Sequence, residues 1–390
     1  MVVLVLRAIT KKGCSVTLAK LTKKQIDILR TKENFYCPEC KQSVIVRAGP
    51  KVIPHFAHRK TSNCSIQGGE GAYHQKGKLL LYEWFINQGI PTELEIFIPE
   101  INQRPDLLIR TKKRKIAIEY QCATIPISHI QKRNKGYKRV NILPMWILGG
   151  NQFHRTSNDH LKVNAFTSAF IQQFSSSLPT KLFYFCPQRK IISITNDLIM
   201  TSANRALVKF MFKPLSQITF YELFSKSYFS TVQLCKLWRN EKRKLRLSTS
   251  RVYGKELAWR SWLYEKNLTP QHLPSIIHLP IRSQYQMAVP TWNWQSRFII
   301  DFLHPLKVGD TFSLQQAQQF IRRFQYKRET EDSIIEYLAQ LIHVNIIHPV
   351  SIHRYVKNAP IIFYRHIEEA LRGDDELLKS FMYNETGVGE

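Results

Sequence analysis

"RPDLLIRTKKRKIAIEYQ", residues 104–121, reads as two short apolar strands joined by a basic turn, and it carries two acidic side chains. In the second strand Glu119 and Gln121 alternate with apolar residues, so the two side chains share one face of the sheet. Asp106 begins the neighbouring strand and is expected at the same end of the hairpin as Glu119. The stretch therefore predicts a β-hairpin with two converging carboxylates.

Two carboxylates this close repel each other and raise one pKa unless a cation lies between them. Oxygen ligands of this kind suit Mg²⁺ or Mn²⁺, which can orient a phosphate and generate a hydroxide nucleophile for phosphodiester cleavage. Asp106 and Glu119 are therefore candidate ligands of a catalytic cation. The alternative is a pair of edge-strand charges that the basic turn TKKRK, residues 111–115, neutralises.

A helix is predicted in front of the hairpin, over HQKGKLLLYEWFINQG, residues 74–89, with Gly89 as its stop. Its apolar face would hold four side chains, namely Leu80, Leu81, Trp84 and Phe85. Three further residues follow one another at i, i+4 and i+8 on one side of this helix: Glu70, His74 and Lys78. They could supply a third carboxylate and a phosphate-binding lysine, or they could form an ordinary solvated face.

The surrounding segments predict an α/β unit. LEIFIPEI, residues 94–101, has apolar residues at period two, and Ser128 could cap a helix over residues 129–138. NILPMWILGG, residues 141–150, reads as a final apolar strand. The predicted order is helix, three strands, helix and strand, and the last strand should lie parallel to the strand before the crossover helix.

The chain is strongly basic, with 57 Lys and Arg against 29 Asp and Glu, a net charge of +28. Between Arg110 and Arg139 there are ten Lys or Arg and a single acid, Glu119. A field of this sign points to a polyanion, and we expect nucleic acid, with an anionic membrane surface as the alternative. The candidate nucleic-acid contacts are Lys112, Lys113, Arg114, Lys115, Lys132 and Arg133.

A cysteine and histidine cluster lies nearer the start, in FYCPECKQSVIVRAGPKVIPHFAHRKTSNC, residues 35–64. Cys37 and Cys40 have the C-x2-C spacing of a zinc knuckle. We expect His58 and Cys64 to complete a structural Zn²⁺ site, with His55 as the alternative, because residues three apart rarely converge on an extended backbone. The other interpretation is ordinary buried cysteines with surface histidines.

The 390 residues are long enough for two or three domains. We predict a zinc-ribbon-like unit over 1–66, an α/β domain over 67–155 and a mainly helical basic region over 156–390. A run of about 18 apolar residues is absent, and the first apolar run is too short for a signal peptide, so we expect a soluble cytoplasmic protein without a membrane anchor.

Several of these motifs occur in an order that resembles the competence protein CoiA family. They are CPEC followed by HFAHRKTSNC, the helix HQKGKLLLYEW, then RPDLLI, IAIEYQ and a helix leading into MWIL. The resemblance covers about residues 1–150 well, and the rest only by length and basic character. It implies an α/β restriction-endonuclease-like (PD-(D/E)xK) core with a small N-terminal zinc-ribbon-like unit and a mainly α C-terminal region.

The resemblance also implies a role in natural transformation, in which single-stranded or branched DNA is processed after uptake and recombined, with a recombinase as a potential partner. Asp106 and Glu119 occupy the acidic motif positions, and Gln121 stands where the superfamily pattern has lysine. An amide can position water or phosphate but is no cation, so Lys78 or the less favourably placed Lys115 would have to supply the charge. The alternatives are a non-catalytic DNA-binding factor and, more weakly, an RNA-binding accessory protein.

Overall fold

The structure is a computed structural model that describes residues 4–5, 7–18, 21–38, 40–49, 52–58, 71–326 and 332–383. The chain forms two compact units. The first comprises the described residues up to Phe153 together with Leu182–Ile194 and Met211–Ser225. The second comprises His154–Lys181, Thr195–Phe210 and the described residues from Lys226 onward.

Six short strands form the N-terminal part of the first unit. They are β1 (Leu4–Val5), β2 (Arg7–Thr10), β3 (Ser15–Thr17), β4 (Phe35–Tyr36), β5 (Ser43–Gly49) and β6 (Val52–His58). All pairings are antiparallel, in the order β1-β6-β5-β4-β2-β3. Helix α1 (Lys23–Lys32) starts with a capping box of Thr22 and Gln25, and its buried Ile26 joins a small apolar core.

The next part of the first unit follows the predicted order of helix, three strands, helix and strand. Its elements are α2 (Ala72–Asn87), β7 (Thr92–Leu94), β8 (Leu107–Arg110), β9 (Lys115–Gln121), α3 (Ile127–Arg139) and β10 (Ile142–Gly149). Strand β8 pairs antiparallel with β7 and β9. Strand β10 pairs parallel with β9, as predicted for a strand reached through a helical crossover.

Helix α2 ends where the sequence predicts. The amide of Gly89 donates to the carbonyl oxygen of Ile86 at 2.9 Å, and the left-handed φ of 69° at Gly89 turns the chain away. On the predicted apolar face Leu81, Trp84 and Phe85 are buried, and Leu80 is half-buried. Packing against the sheet therefore accounts for the apolar spacing of this helix.

Two local predictions were wrong. The strand expected over 94–101 ends at Leu94, because Glu95 adopts a left-handed backbone with φ of 47°. Ser128 is no N-cap, since α3 begins at Ile127 directly after Pro126, whose φ of −57° already suits the start of a helix.

The side chains of β9 alternate between the two helices. Tyr120 faces α2 so closely that a Cβ at Gly77 would lie 2.1 Å from a carbon of its ring. Ala117 lies on the other face, in an apolar cluster with Tyr137 of α3. Glu119 has the same parity as Ala117 and therefore faces α3.

Four strands follow: β11 (His160–Lys162), β12 (Lys181–Cys186), β13 (Ile191–Ser202) and β14 (Arg205–Pro214). In the first unit, β12 extends the sheet by parallel pairing of Tyr184 with Leu148 of β10. In the second unit, β11 pairs antiparallel with β14. The structure thus has long strands where the sequence predicted a mainly helical region from residue 156.

Helices dominate after residue 226. They are α5 (Thr231–Leu247), α6 (Gly254–Glu265), α7 (Thr291–Arg297), α8 (Leu314–Ile321), α9 (Asp332–His343) and α10 (Ile367–Tyr383), while the short α4 (Ala165–Ser168) precedes β12. A small sheet of three strands accompanies them: β15 (Thr311–Ser313), β16 (Ile347–Ser351) and β17 (Arg354–Lys357). The core of this region contains Trp259, Trp294, Phe298 and Tyr337, all fully buried.

Candidate functional site

The cysteine pair lies on a tight turn after β4. The amide of Cys37 donates to the carbonyl oxygen of Gln42 at 2.9 Å, and the amide of Lys41 donates to that of Cys37 at 3.0 Å. Lys41 adopts a left-handed φ of 59°. This turn folds Cys40 back toward Cys37, as a C-x2-C knuckle requires.

His58, at the end of β6, completes a group of three. The ligand atoms of Cys37, Cys40 and His58 lie within 4.8 Å of one another, and Sγ of Cys40 is 4.0 Å from Nε2 of His58. Burial lowers the pKa of His58, which favours the neutral ring that binds metals. Two thiols and an imidazole are a donor set that suits zinc, so this group could hold a metal ion.

The other predicted zinc ligands have different positions. His55 is buried on the same strand but is not part of the group, because residues three apart on a strand point to opposite faces. Cys64 lies outside the described residues. The preference for His58 over His55 therefore agrees with the geometry.

Asp106 lies immediately before β8 and contacts three groups. Its Oδ2 accepts a hydrogen bond from the amide of Tyr120 at 2.8 Å and lies 3.4 Å from Nε2 of His74, while its Oδ1 accepts from Nζ of Lys78 at 3.4 Å. Burial alone would raise the pKa of Asp106, but the charge of Lys78 and the contacts with His74 and the Tyr120 amide hold it well below its usual range. Asp106 is therefore an anion.

Helix α2 supplies the basic side of this site. Lys78 is completely buried, and its Nζ also donates to Oε1 of Glu95 at 2.5 Å. Nε2 of His74 lies 2.5 Å from the carbonyl oxygen of Tyr120 as well as near Asp106. Because both neighbours are acceptors, Nε2 of His74 carries a proton. The predicted spacing of His74 and Lys78 does bring both to Asp106, whereas Glu70 lies outside the described residues.

Glu119 has a separate set of partners on α3. Its Oε1 accepts hydrogen bonds from Nε of Arg133 at 3.0 Å, from a second guanidinium nitrogen and from the hydroxyl of Tyr137. Burial raises the pKa of Glu119 to about 7, with Arg133 opposing this rise and the charge of Asp106 adding to it. Extending the strand register by one step from the pair Leu107 and Ile118 places Asp106 opposite Glu119.

The basic turn lies at the far end of the hairpin. Arg110 and Lys115 form the last pair before it, four residues or about 13 Å from the carboxylates. Charge neutralisation by the turn is therefore excluded for Asp106 and Glu119, and Lys115 cannot replace the missing lysine. The side-chain Nε2 of Gln121 donates a hydrogen bond to the carbonyl oxygen of Ala123 at 2.7 Å.

The six candidate nucleic-acid contacts divide into two groups. The exposed Lys112, Lys113, Arg114 and Lys115 belong to the distant turn and its edge. Lys132 is exposed. It lies beside the loop that leads to Asp106, since its carbonyl oxygen accepts a hydrogen bond from Nε2 of Gln103 at 3.3 Å. The guanidinium of Arg133 binds Glu119 and donates to the carbonyl oxygen of Arg104 at 2.7 Å.

Three contacts of the site were not predicted from the sequence. They are those of Glu95 with Lys78 and of Tyr137 and Arg133 with Glu119. The spacing of Arg133 and Tyr137 at i and i+4 on a helix after an acidic strand is a signal that could have paired them with Glu119. Glu95 had no such signal, since its left-handed turn brings it to Lys78. Within the described part of the chain, every helix is too short or too polar to cross a lipid bilayer.

Three family models match the chain in succession. They are described as Competence protein CoiA, N-terminal domain, over residues 18–67; nuclease-like domain, over 70–228; and C-terminal domain, over 235–371. A Competence protein CoiA of Bacillus subtilis (strain 168) is 32% identical over 267 residues, which cover 68% of this chain and 70% of that protein. No solved structure matches.

Proposed function

Because the chain belongs to the competence protein CoiA family, we propose that it binds incoming DNA during natural transformation and processes single-stranded or branched DNA with a metal-dependent, nuclease-like centre. Membership supports a role in competence, and the name of the matching central domain suggests DNA as the substrate. A cytoplasmic site of action, support of recombination, a recombinase partner and the PD-(D/E)xK assignment of the core are parts of the same proposal.

The observation that carries the proposal is the cluster at the end of β9. A fully buried lysine lies between two carboxylates, with a histidine beside them, in the domain that matches the nuclease-like family model. Apolar cores seldom contain such a set without a chemical use. Lys78 would hold the carboxylate of Asp106 in place, and the proton on Nε2 of the partly exposed His74 would orient or protonate a phosphate oxygen.

The two acidic residues offer carboxylate oxygens, which are the donor atoms that Mg²⁺ and Mn²⁺ prefer. Asp106 and Glu119 would hold Mg²⁺ or Mn²⁺ through their carboxylate oxygens, and the bound ion would polarise the phosphate. Asp106 is ionised at neutral pH, as a ligand must be. Arg133 and Tyr137 fix one oxygen of Glu119 and thereby orient its carboxylate.

A second candidate function is DNA binding without cleavage. It is favoured because each acidic residue already forms a salt bridge with a basic side chain, Asp106 with Lys78 and Glu119 with Arg133. Gln121, at the position where the superfamily pattern has lysine, donates its side-chain hydrogen bond to the carbonyl oxygen of Ala123 in the loop that follows. In this case the nuclease-like domain would hold a strand for a recombinase.

One assay separates the two functions. Purified protein would be incubated with Mg²⁺ or Mn²⁺ and single-stranded, duplex or branched DNA, beside Asp106→Ala/Glu119→Ala and the exposed control Glu83→Ala. Metal-dependent cleavage that only the double variant loses supports the nuclease. Cleavage that persists in the double variant contradicts the assigned centre, and salt-sensitive binding without cleavage by any variant supports the second function.

A further inference from the structure

A cavity of about 300 Å³ lies in the second unit, apart from both sites described above. We name it the Arg282 pocket. Its lining residues come from the loop before β12, the loop before α5, the turn that begins at Arg282, and α9. They include Gln173, Tyr228, Arg282, Tyr285, Gln286 and Glu336.

The guanidinium of Arg282 is held rigidly at this pocket. Its Nε donates to Oδ1 of Asp197 at 2.8 Å and its Nη2 to Oδ2 at 3.2 Å, and the Asp197 side chain is only 1% exposed. The same guanidinium lies 5.4 Å from the centre of the Tyr228 ring. Because 43% of the Arg282 side chain is nevertheless exposed, a fixed planar cation remains accessible to a ligand.

The charges around the pocket favour a neutral ligand. Asp197 offsets the charge of Arg282, and Glu336 adds a second carboxylate, which accepts from the amides of Arg282 and Ser283 at 3.0 and 2.9 Å. A phosphate group in the cavity would meet the carboxylate of Glu336 and an arginine whose charge Asp197 already offsets. A planar heterocycle would instead find the guanidinium and the half-buried ring of Tyr285 to stack on.

Polar groups for the edge of such a heterocycle are also present. Gln173 and Gln286 line the cavity, and Oε1 of Gln286 accepts no hydrogen bond within the described residues. A volume of about 300 Å³ is at the lower limit of small-molecule pockets, roughly 300–1,000 Å³, so it suits one nucleoside and excludes a duplex.

We propose that the Arg282 pocket receives one unpaired base of single-stranded DNA, stacked between Arg282 and Tyr285, while the strand's phosphates stay outside. This proposal rests on the proposed DNA-binding function and deepens it, since it assigns a base-reading position to the second unit. It predicts that affinity depends on bases as well as on phosphates.

The test compares a 12-nucleotide oligothymidine with a strand of equal length in which every base is replaced by an abasic site. We expect wild-type protein to bind the oligothymidine at least about fivefold more tightly, the lower end of what stacking one base on an aromatic ring contributes. In Tyr285→Leu the ratio should fall below about twofold. Tyr285→Phe, which keeps the ring, and Tyr264→Leu, at a Tyr on α6 that is 80% exposed, should retain the wild-type ratio.

The outcomes distinguish this proposal from the proposed function. Equal wild-type affinity for the two strands overturns the pocket while leaving DNA binding intact, and this comparison needs no variant to fold. A fivefold ratio that is retained in Tyr285→Leu also contradicts base binding in the pocket. If wild-type protein binds neither strand, the DNA-binding function and the pocket both fail.

Discussion

Lys78 is the residue on which the Asp106 site depends most. It is completely buried, and it contacts the carboxylates of both Glu95 and Asp106. Lys78→Met would leave two poorly solvated anions without their cation, and breaking a buried pair from one side typically costs about 3–5 kcal/mol. We expect a loss of this size in the free energy of unfolding, measured by urea denaturation at pH 7.

The matched control for this change is Lys76→Met, at an exposed position of the same helix. It removes one positive charge from α2 without leaving a buried anion, and it should change the free energy of unfolding by less than about 0.5 kcal/mol. Equal effects of the two substitutions would contradict the role of Lys78 in neutralising Glu95 and Asp106.

We expect His278 to make the stability of the second unit depend on pH. The residue is buried, and its Nδ1 lies 2.8 Å from the hydroxyl of Thr291. Burial lowers its pKa to about 3, with the charges of Lys242 and Arg246 acting in the same direction and those of Glu241 and Asp374 opposing them.

The unfolded chain protonates this histidine near its ordinary value of 6.5, whereas the folded chain keeps it neutral down to about pH 3. Stability should therefore fall as the pH drops from 6.5 toward 3, by up to about 1.4 kcal/mol per pH unit relative to a variant without the group. His278→Asn is the suitable variant, because asparagine tolerates the left-handed φ of 61° at this position.

The measurement is the free energy of unfolding of both proteins from pH 7 to pH 4. The difference between wild type and His278→Asn should shift steadily against the wild type as the pH falls. A constant difference for His278→Asn would show that its burial has no influence on protonation.

The sequence predicted the positions of some site residues and not of others. His74 and Lys78 follow from helical spacing alone, because one helix fixes their relative position. Glu95 and Arg133 reach their partners from separate elements, through a left-handed turn and a helix crossing, and neither geometry is encoded in a local pattern. The sequence analysis left open that the basic turn neutralises Asp106, but the hairpin register separates the two although they are close in sequence.

At the scale of elements, the contact between α2 and β9 depends on a glycine. A Cβ at Gly77 would lie 2.1 Å from the Tyr120 ring, so Gly77→Ala forces the helix and the strand apart. Although alanine favours helices by about 1 kcal/mol over glycine, overpacking typically costs about 1–3 kcal/mol. We expect Gly77→Ala to lower the melting temperature of the protein.

Gly136 in α3 offers the matched control. A Cβ there would meet the amide end of Gln103 at 2.3 Å, and this half-exposed side chain can move aside. Gly136→Ala should therefore leave the melting temperature unchanged or raise it. A similar fall for both substitutions would mean that α2 is not packed against Tyr120 as closely as the structure indicates.

The strand β13 shows why part of the fold could not be predicted. Its sequence is interrupted by Thr195, Asn196 and Asp197, three polar residues that suggest a turn. All three are buried in the second unit, where Asp197 binds Arg282 and the amide of Phe229. Distant partners thus compensate the polar residues, and a local pattern contains no information about such partners.

At the scale of the whole molecule, a linear division into domains does not describe the compact units. The sequence predicted boundaries near residues 66 and 155, whereas the chain leaves the first unit after Phe153 and returns to it at Leu182 and Met211. Composition changes along a sequence mark linkers, but a strand that continues through a unit boundary has no such mark. The cysteine and histidine group of the N-terminal sheet was easier to predict, because Cys37, Cys40 and His58 lie close together in the sequence.

The cysteine and histidine group gives the last prediction, which concerns metal content. The apolar core beside it is small, so we expect Cys37, Cys40 and His58 to bind about one zinc ion per chain and to stabilise the six-stranded sheet. Cys37→Ser/Cys40→Ser and His58→Ala should lose this zinc in elemental analysis of the purified protein. His55→Ala, on the opposite face of β6, and Cys14→Ser, at an exposed cysteine, should keep it. Equal zinc content in wild type and Cys37→Ser/Cys40→Ser would contradict the proposed zinc site. Loss of zinc in His55→Ala but not in His58→Ala would show that His55 is the ligand.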